Sequence, residues 1–115
     1  MIVDDELDLR GMLVLMFQKE GFETEAAEGG SDFLEKIDRF QPDLVTLDVM
    51  MPGLTIEEIF ERLKEKKSKP KIILLTVVRY NNEEKEKMLK MNNIVEYIKK
   101  PFDYDDLMDA VKKHI

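Results

Sequence analysis

Leu44-Val45-Thr46-Leu47-Asp48-Val49-Met50-Met51-Pro52-Gly53 is the stretch that decides the fold. Its first four residues lack polar alternation, as a strand covered on both faces of a parallel sheet does. The run ends in an acid and breaks into a Pro-Gly turn. Asp48 therefore belongs at the carboxyl edge of the sheet, where open α/β sheets bind their ligands. Two other stretches end in the same manner. Met1-Ile2-Val3 runs into Asp4-Asp5, and Val95-Glu96-Tyr97-Ile98 runs into Lys100-Pro101. Two acidic sites and a lysine at three strand ends outline a site for a divalent cation and a phosphoryl group.

Working outward, the remaining elements alternate in type. Leu9, Met12, Leu13, Met16 and Phe17 recur at helical spacing, and Gly21 stops that helix. Phe22 to Ala27 alternates apolar and polar, which predicts a half-exposed edge strand, and Gly29-Gly30-Ser31 reads as a turn. Phe33, Leu34, Ile37 and Phe40 mark a second helix ending before Pro42. Ile56, Ile59, Phe60 and Leu63 mark a third, opened by the capping box Thr55-x-x-Glu58. Ile72-Ile73-Leu74-Leu75 is a second doubly covered strand. Asn81-x-x-Glu84 caps a fourth helix, anchored only by Met88, Leu89 and Met91 because Asn81 to Lys87 contains no apolar residue. After the strand Ile94 to Ile98, Asp103 caps a last helix with Leu107, Ala110, Val111 and Ile115 inward. A β-α unit repeated in this way forces a parallel sheet with right-handed crossovers and helices on both faces.

Composition bounds the rest. The 115 residues make one domain, residues 1–115, with 43% hydrophobic content. A chain of this size buries roughly 65% of its unfolded surface. There is no cysteine, hence neither a disulfide framework nor a thiolate metal site. No apolar run approaches the ~20 residues of a membrane span, and no signal peptide precedes the first strand. A cytoplasmic protein is expected. A net charge of -7 disfavours direct nucleic-acid binding. The basic run Lys64 to Lys71 fits a helix end, where cations complement the helix dipole. The Lys- and Glu-rich, Cys-free composition is compatible with a heat-adapted source.

Val3-Asp4-Asp5-Glu6, Asp48-Val49-Met50-Met51-Pro52-Gly53, Thr76 at a strand end and Lys100-Pro101-Phe102 together resemble the receiver domain of two-component response regulators. The resemblance covers essentially the whole chain, in the right order. It implies a flavodoxin-like, chemotaxis-regulator-like (βα)5 fold with strand order 2-1-3-4-5. It implies Asp48 as phosphoryl acceptor, loaded from the phosphohistidine of a sensor histidine kinase or phosphotransfer protein. Asp5 and Asp48 would bind Mg²⁺ directly, Asp4 through water, and Met50 through its carbonyl. The cation, Lys100 and the Thr76 hydroxyl would each take one phosphoryl oxygen. Thr76 and Tyr97 would form the switch that alters the face of helix 4, strand 5 and helix 5 for an effector. The resemblance further implies self-catalysed phosphorylation and dephosphorylation rather than conventional enzyme turnover, a homodimer as one outcome of phosphorylation, and a cis Lys100-Pro101 bond.

Simpler roles remain open for these residues. Asp4 and Asp5 would also serve as helix caps, Thr76 as a hydroxyl bonding its own backbone, Lys100 as a surface lysine, and Tyr97 as a packing residue. His114 reads as a solvent-facing or C-capping residue. Two other functions compete: a degenerate receiver that only binds partners, and an aspartyl-nucleophile phosphohydrolase. The latter wants a second acid two residues past the nucleophile, where Met50 stands.

The chain also departs from the family pattern. Only three residues precede Asp4, so either the central strand is short or the chain was trimmed. Ile56 stands where a glycine is usual and cannot take positive φ cheaply, so the loop after Gly53 must differ. Asn92-Asn93 replaces a glycine, which Asn's tolerance of the left-handed region permits. Val77 follows Thr76 where Ala or Gly is usual. With Met50 it narrows the mouth of the site, which predicts a phosphoryl group slow to arrive and slow to leave.

Overall fold

A computed structural model of the chain describes residues 1–77, 81–90 and 93–115. Its elements run β1 (Ile2–Val3), α1 (Leu7–Lys19), β2 (Ala26–Ala27), α2 (Gly30–Phe40), β3 (Leu44–Asp48), α3 (Ile56–Leu63), β4 (Lys71–Thr76), α4 (Asn82–Leu89), β5 (Ile94–Lys99) and α5 (Tyr104–His114). The strands form one parallel sheet in the order β2-β1-β3-β4-β5, as expected. Each face carries its own core. Phe33, Leu34 and Ile37 of α2 and Ile59, Phe60 and Leu63 of α3 pack on one side of the sheet. Leu13 and Phe17 of α1 and Leu107, Met108 and Val111 of α5 pack on the other. α4 lies against β5. No helix among the described residues is long and apolar enough to cross a membrane.

Register places the functional edge. Val3 pairs with Leu47, so Asp4 and Asp48 leave the sheet side by side. Asp48 pairs with Leu75, and Thr76 with Lys99, so Thr76 and Lys100 emerge at the same level. β3 is buried along its whole length and β4 everywhere beyond Lys71, which explains their unbroken apolar sequences.

Several local expectations are met and several are corrected. Thr55 and Glu58 form both halves of the capping box. Asn81 Oδ1 accepts from the Glu84 amide at 2.8 Å. Gly21 takes φ 94° after α1, and Gly53 takes φ 93°, which leaves Ile56 free to open α3 in ordinary helical geometry. Asn93 is left-handed at φ 66°, while Asn92 lies outside the described residues. Met91 and the side chains of Met88 and Leu89, expected to anchor α4, also lie outside them.

The edge strand expected over Phe22 to Ala27 shrinks to Ala26–Ala27, because its partner β1 is itself only Ile2–Val3. Gly30 is not a turn residue; it opens α2. A Cβ there would lie 2.7 Å from the Ile59 side chain, so the glycine lets α2 and α3 approach. Ile115 is 64% exposed rather than inward, since it falls past the last turn of α5. Asp103 stands at the N-cap of α5 but makes no side-chain cap bond; only its carbonyl accepts, from Leu107. His114 is neither free nor solvent-facing: its Nε2 lies 2.9 Å from Glu96 Oε2, tying the end of α5 to β5.

Candidate functional site

Asp4, Asp5 and Asp48 converge at the carboxyl edge, each offering a carboxylate oxygen within 4.8 Å of the others. Oxygen donors so gathered suit a hard divalent cation that keeps part of its water shell. Their exposures differ. Asp4 and Asp48 are buried, whereas Asp5 faces solvent.

Each side chain is fixed by its own local structure. Asp4 Oδ1 accepts from the Glu6 amide at 2.9 Å, which turns the chain from β1 into α1. Its carbonyl accepts from Arg10 Nη1 at 2.8 Å, so the first helical turn holds the acidic loop from below. Asp4 is thus a loop-ordering residue as well as a potential ligand; the N-cap position itself belongs to Glu6, which makes no side-chain cap bond. Asp48 Oδ1 accepts from the Met50 amide at 3.1 Å, an Asx-type turn that begins the β3–α3 loop. The Met50 side chain is 59% exposed.

Lys100 arrives from the far strand. The Lys100-Pro101 bond is cis, and the Lys100 amide donates to the Thr76 carbonyl at 2.7 Å. Its ammonium lies 3.0 Å from Asp4 Oδ2 and 3.4 Å from Asp48 Oδ2, bridging the two buried acids. Lys100 is therefore no surface lysine; its side chain is 15% exposed.

Electrostatics follow from this geometry. Burial pushes the Asp48 carboxyl above its ordinary value, and the Asp4 charge adds to that rise. The Met50 amide and Lys100 oppose it without cancelling it. Burial alone would lower Lys100, but its bond to Asp4 and the charge of Asp48 outweigh burial and raise it. The lysine stays charged and burial disfavours the ionised form of the nucleophile candidate, so an added cation has a physical reason to bind.

Thr76 ends β4 and is fully buried. Tyr97 sits within β5, partly buried against the α2–α3 side of the sheet, some distance along the strand from Lys100. The structure thus gathers Asp4, Asp5, Asp48, Lys100 and the Met50 main chain into one cluster, puts Thr76 at its edge, and leaves Tyr97 on the sheet behind. Arg10 escaped the sequence reading. Its signal is its place one helical turn past Glu6, from which an arginine can reach back to a strand-end carbonyl.

Comparisons with known proteins agree with this geometry. A family model described as the response regulator receiver domain matches residues 1–112. The sporulation initiation phosphotransferase F of Bacillus subtilis (strain 168) is 35% identical over 115 residues, covering 100% of this chain and 91% of the relative. The response regulator protein TrrA of Thermotoga maritima, solved in complex with Mg²⁺-BeF, is 36% identical with a TM-score of 0.80, covering 99% of this chain and 96% of that one. The chemotaxis protein CheY4 of Vibrio cholerae is 26% identical with a TM-score of 0.81, covering 99% and 95%. Matched along essentially its full length by family, relatives and fold alike, the chain belongs to the response regulator receiver domains, signalling modules of two-component systems.

Proposed function

We propose that this domain accepts a phosphoryl group on Asp48 from a partner's phosphohistidine, with Mg²⁺ as cofactor. The observation that carries the reading is the bridging of Asp4 and Asp48 by Lys100, at 3.0 and 3.4 Å, beside the open carboxylate of Asp5. A lysine held between two buried acids has little structural purpose that an apolar residue would not serve better. Held there, it is ready to meet a third anionic group.

Asp5 and Asp48 are the direct metal-ligand candidates, with Asp4 acting through water and Met50 through its carbonyl. The donor set is all oxygen, which fits Mg²⁺, and the Thermotoga maritima relative was solved with Mg²⁺-BeF. The chemistry a bound cation supplies is charge neutralisation on one phosphoryl oxygen and an ionised Asp48. The chain's own residues do the rest. An Asp48 oxygen attacks phosphorus as the phosphorus–nitrogen bond of the donor breaks, and the electron pair leaves with the imidazole. The Met50 amide orients the Asp48 carboxylate. Lys100 moves its charge from the carboxylates to a phosphoryl oxygen, and the Thr76 hydroxyl binds another. Thr76 drawn toward the site changes the packing beside Tyr97 and hence the face formed by α4, β5 and α5. That face is the effector surface in this reading.

The phosphohydrolase alternative gains nothing from the geometry: Met50 carries no acid to protonate a leaving group. The degenerate-receiver alternative leaves the Lys100 bridge without a role. Mass spectrometry after incubation with acetyl phosphate and Mg²⁺ tests the proposal. One phosphoryl group should appear on Asp48, disappear with EDTA, and be absent from Asp48→Asn. A stable, folded protein that gains no mass would favour the binding-only reading.

A further inference from the structure

We infer that Arg10 is a positioning residue that fixes the peptide between Asp4 and Asp5, and that it thereby tunes the acidic cluster to Mg²⁺ over Ca²⁺. The inference rests on Asp5 and Asp48 being the direct metal ligands and concerns which cation they prefer. Asp5 is exposed, so side-chain packing does little to set its direction. The main chain on either side does so instead. Arg10 Nη1 donates to the Asp4 carbonyl at 2.8 Å, and that oxygen belongs to the peptide joining Asp4 to Asp5. The amide of the following peptide, that of Glu6, donates to Asp4 Oδ1 at 2.9 Å. One residue earlier, the Asp4 amide donates to the Ala27 carbonyl at 3.1 Å. Peptide units are planar and turn as rigid plates, so holding the plates before and after Asp5 fixes its φ and ψ and the direction in which its carboxylate leaves the chain.

The position is otherwise a poor one for a cation. Arg10 lies in the first turn of α1, at a helix end whose dipole favours anions. The helices α2, α3 and α5 follow that preference, with acids in the first turn and bases in the last. Arg10 also borders one cleft with Asp5, Glu28 and Asp32, where its permanent charge opposes any cation bound at Asp5. Its bond to the Asp4 carbonyl is the service that offsets both. Partners behind a metal ligand that orient it commonly matter almost as much as the ligand itself.

Rigid placement matters unequally to different cations. Mg²⁺ demands near-ideal octahedral oxygens at about 2.0–2.1 Å, whereas Ca²⁺ accepts more ligands at about 2.3–2.6 Å in flexible arrangements. A carboxylate free to wander therefore harms Mg²⁺ binding more than Ca²⁺ binding. Charge acts on the two divalent ions alike. Removing Arg10 thus has two separable effects. Loss of its charge raises both affinities by a similar factor, and release of the peptide lowers the preference for Mg²⁺.

Isothermal titration with MgCl₂ and with CaCl₂, on wild type, Arg10→Met and Arg10→Lys, reads the ratio of the two affinities. Arg10→Met has neither charge nor donor and should lower the Mg²⁺-to-Ca²⁺ ratio by about 10-fold. Arg10→Lys keeps a charge and a donor but not the planar fork, and its ratio should fall between those of Arg10→Met and wild type. Thermal unfolding in EDTA shows whether each variant folds; if Arg10→Met does not, Arg10→Lys decides. A ratio equal to that of wild type in every folded variant overturns the inference, even where both affinities rise together, because a common rise is the signature of lost charge alone. A wild-type protein that binds neither cation overturns the metal reading itself, and the inference falls with it.

Discussion

Replacing Lys100 by methionine should unsettle the metal-free protein at neutral pH far more than in acid. At an effective dielectric constant of ~20, a unit charge pair at the 3.0 Å of Lys100 and Asp4 attracts by about 5.5 kcal/mol, and one at the 3.4 Å of Lys100 and Asp48 by about 4.9 kcal/mol. Against these stand the desolvation of each ion, several kcal/mol, and the repulsion between carboxylates lying within 4.8 Å, about 3.5 kcal/mol at the same dielectric. The cluster as a whole is nearly balanced. Removing the lysine abolishes both attractions and its own desolvation cost, and leaves two buried anions facing one another. Breaking a fully buried pair typically costs about 3–5 kcal/mol. With 15% of the lysine side chain exposed, the lower end applies, about 3 kcal/mol. At roughly 4 °C per kcal/mol for a domain of this size, Tm should fall by about 12 °C.

The pH dependence has a definite sign. Asp48 already titrates above its ordinary value because it is buried beside Asp4, and loss of Lys100 raises it further. As pH falls through that raised value, protonation removes the uncompensated charge, so the deficit of Lys100→Met should shrink in acid. Mg²⁺ should also shrink it, and should raise Tm more in the variant than in wild type, because the divalent cation takes over the missing charge. Thermal unfolding followed by circular dichroism, in EDTA and in Mg²⁺ at neutral and acid pH, reads all of this. A loss under about 1 kcal/mol in EDTA at neutral pH would refute the buried three-charge cluster.

Asp48→Asn should stabilise the metal-free protein by on the order of 1 kcal/mol at neutral pH, since the fold disfavours its ionised form; the gain should fade in acid, where wild-type Asp48 is already protonated, and a net loss in EDTA would count against the arrangement. Asp5→Asn should abolish the Mg²⁺-induced rise in Tm without lowering Tm in EDTA, because Asp5 is exposed and stands outside the cluster's buried half; retained Mg²⁺ stabilisation would remove it from the ligand set. Thr46→Val should stabilise by about 1 kcal/mol, because the Thr46 hydroxyl is buried without a hydrogen-bond partner among the described residues; destabilisation in urea titrations would show that the hydroxyl is satisfied. Amide exchange should be faster over Asn82–Leu89 than over Leu7–Lys19, since Asn82 to Lys87 offers no apolar residue to a packed face; equal protection would contradict it.

The parallel sheet was legible because burial on both faces removes polar alternation, and Leu44–Asp48 and Lys71–Thr76 carry that signature in their letters. The short elements were not. Phe22 to Thr24 has the composition of a strand, but pairing depends on how long β1 is, and composition does not measure a partner. Gly30 shows the same limit: its sequence neighbours suggest a turn, whereas its purpose is set by Ile59, a residue on another helix. His114 is a third case, since nothing near it in sequence points to Glu96 on β5.

At the site, residue types and strand ends were readable, but the division of labour among the acids was not. Asp4 and Asp5 are adjacent letters with equal chemistry. The structure makes them unequal by the direction each takes at the end of β1. Asp4 turns inward, is 1% exposed, and meets Lys100 across 96 residues of chain. Asp5 turns outward into solvent. Of these two neighbours, the carboxylate held by the ammonium at 3.0 Å is the poorer inner ligand for a second cation, because its charge is partly spent; Asp48, held less closely at 3.4 Å, keeps more of its charge. That asymmetry supports Asp5 as the direct ligand and Asp4 as the outer one. In the proposed function it also gives Lys100 a resting place from which a phosphoryl oxygen would draw it.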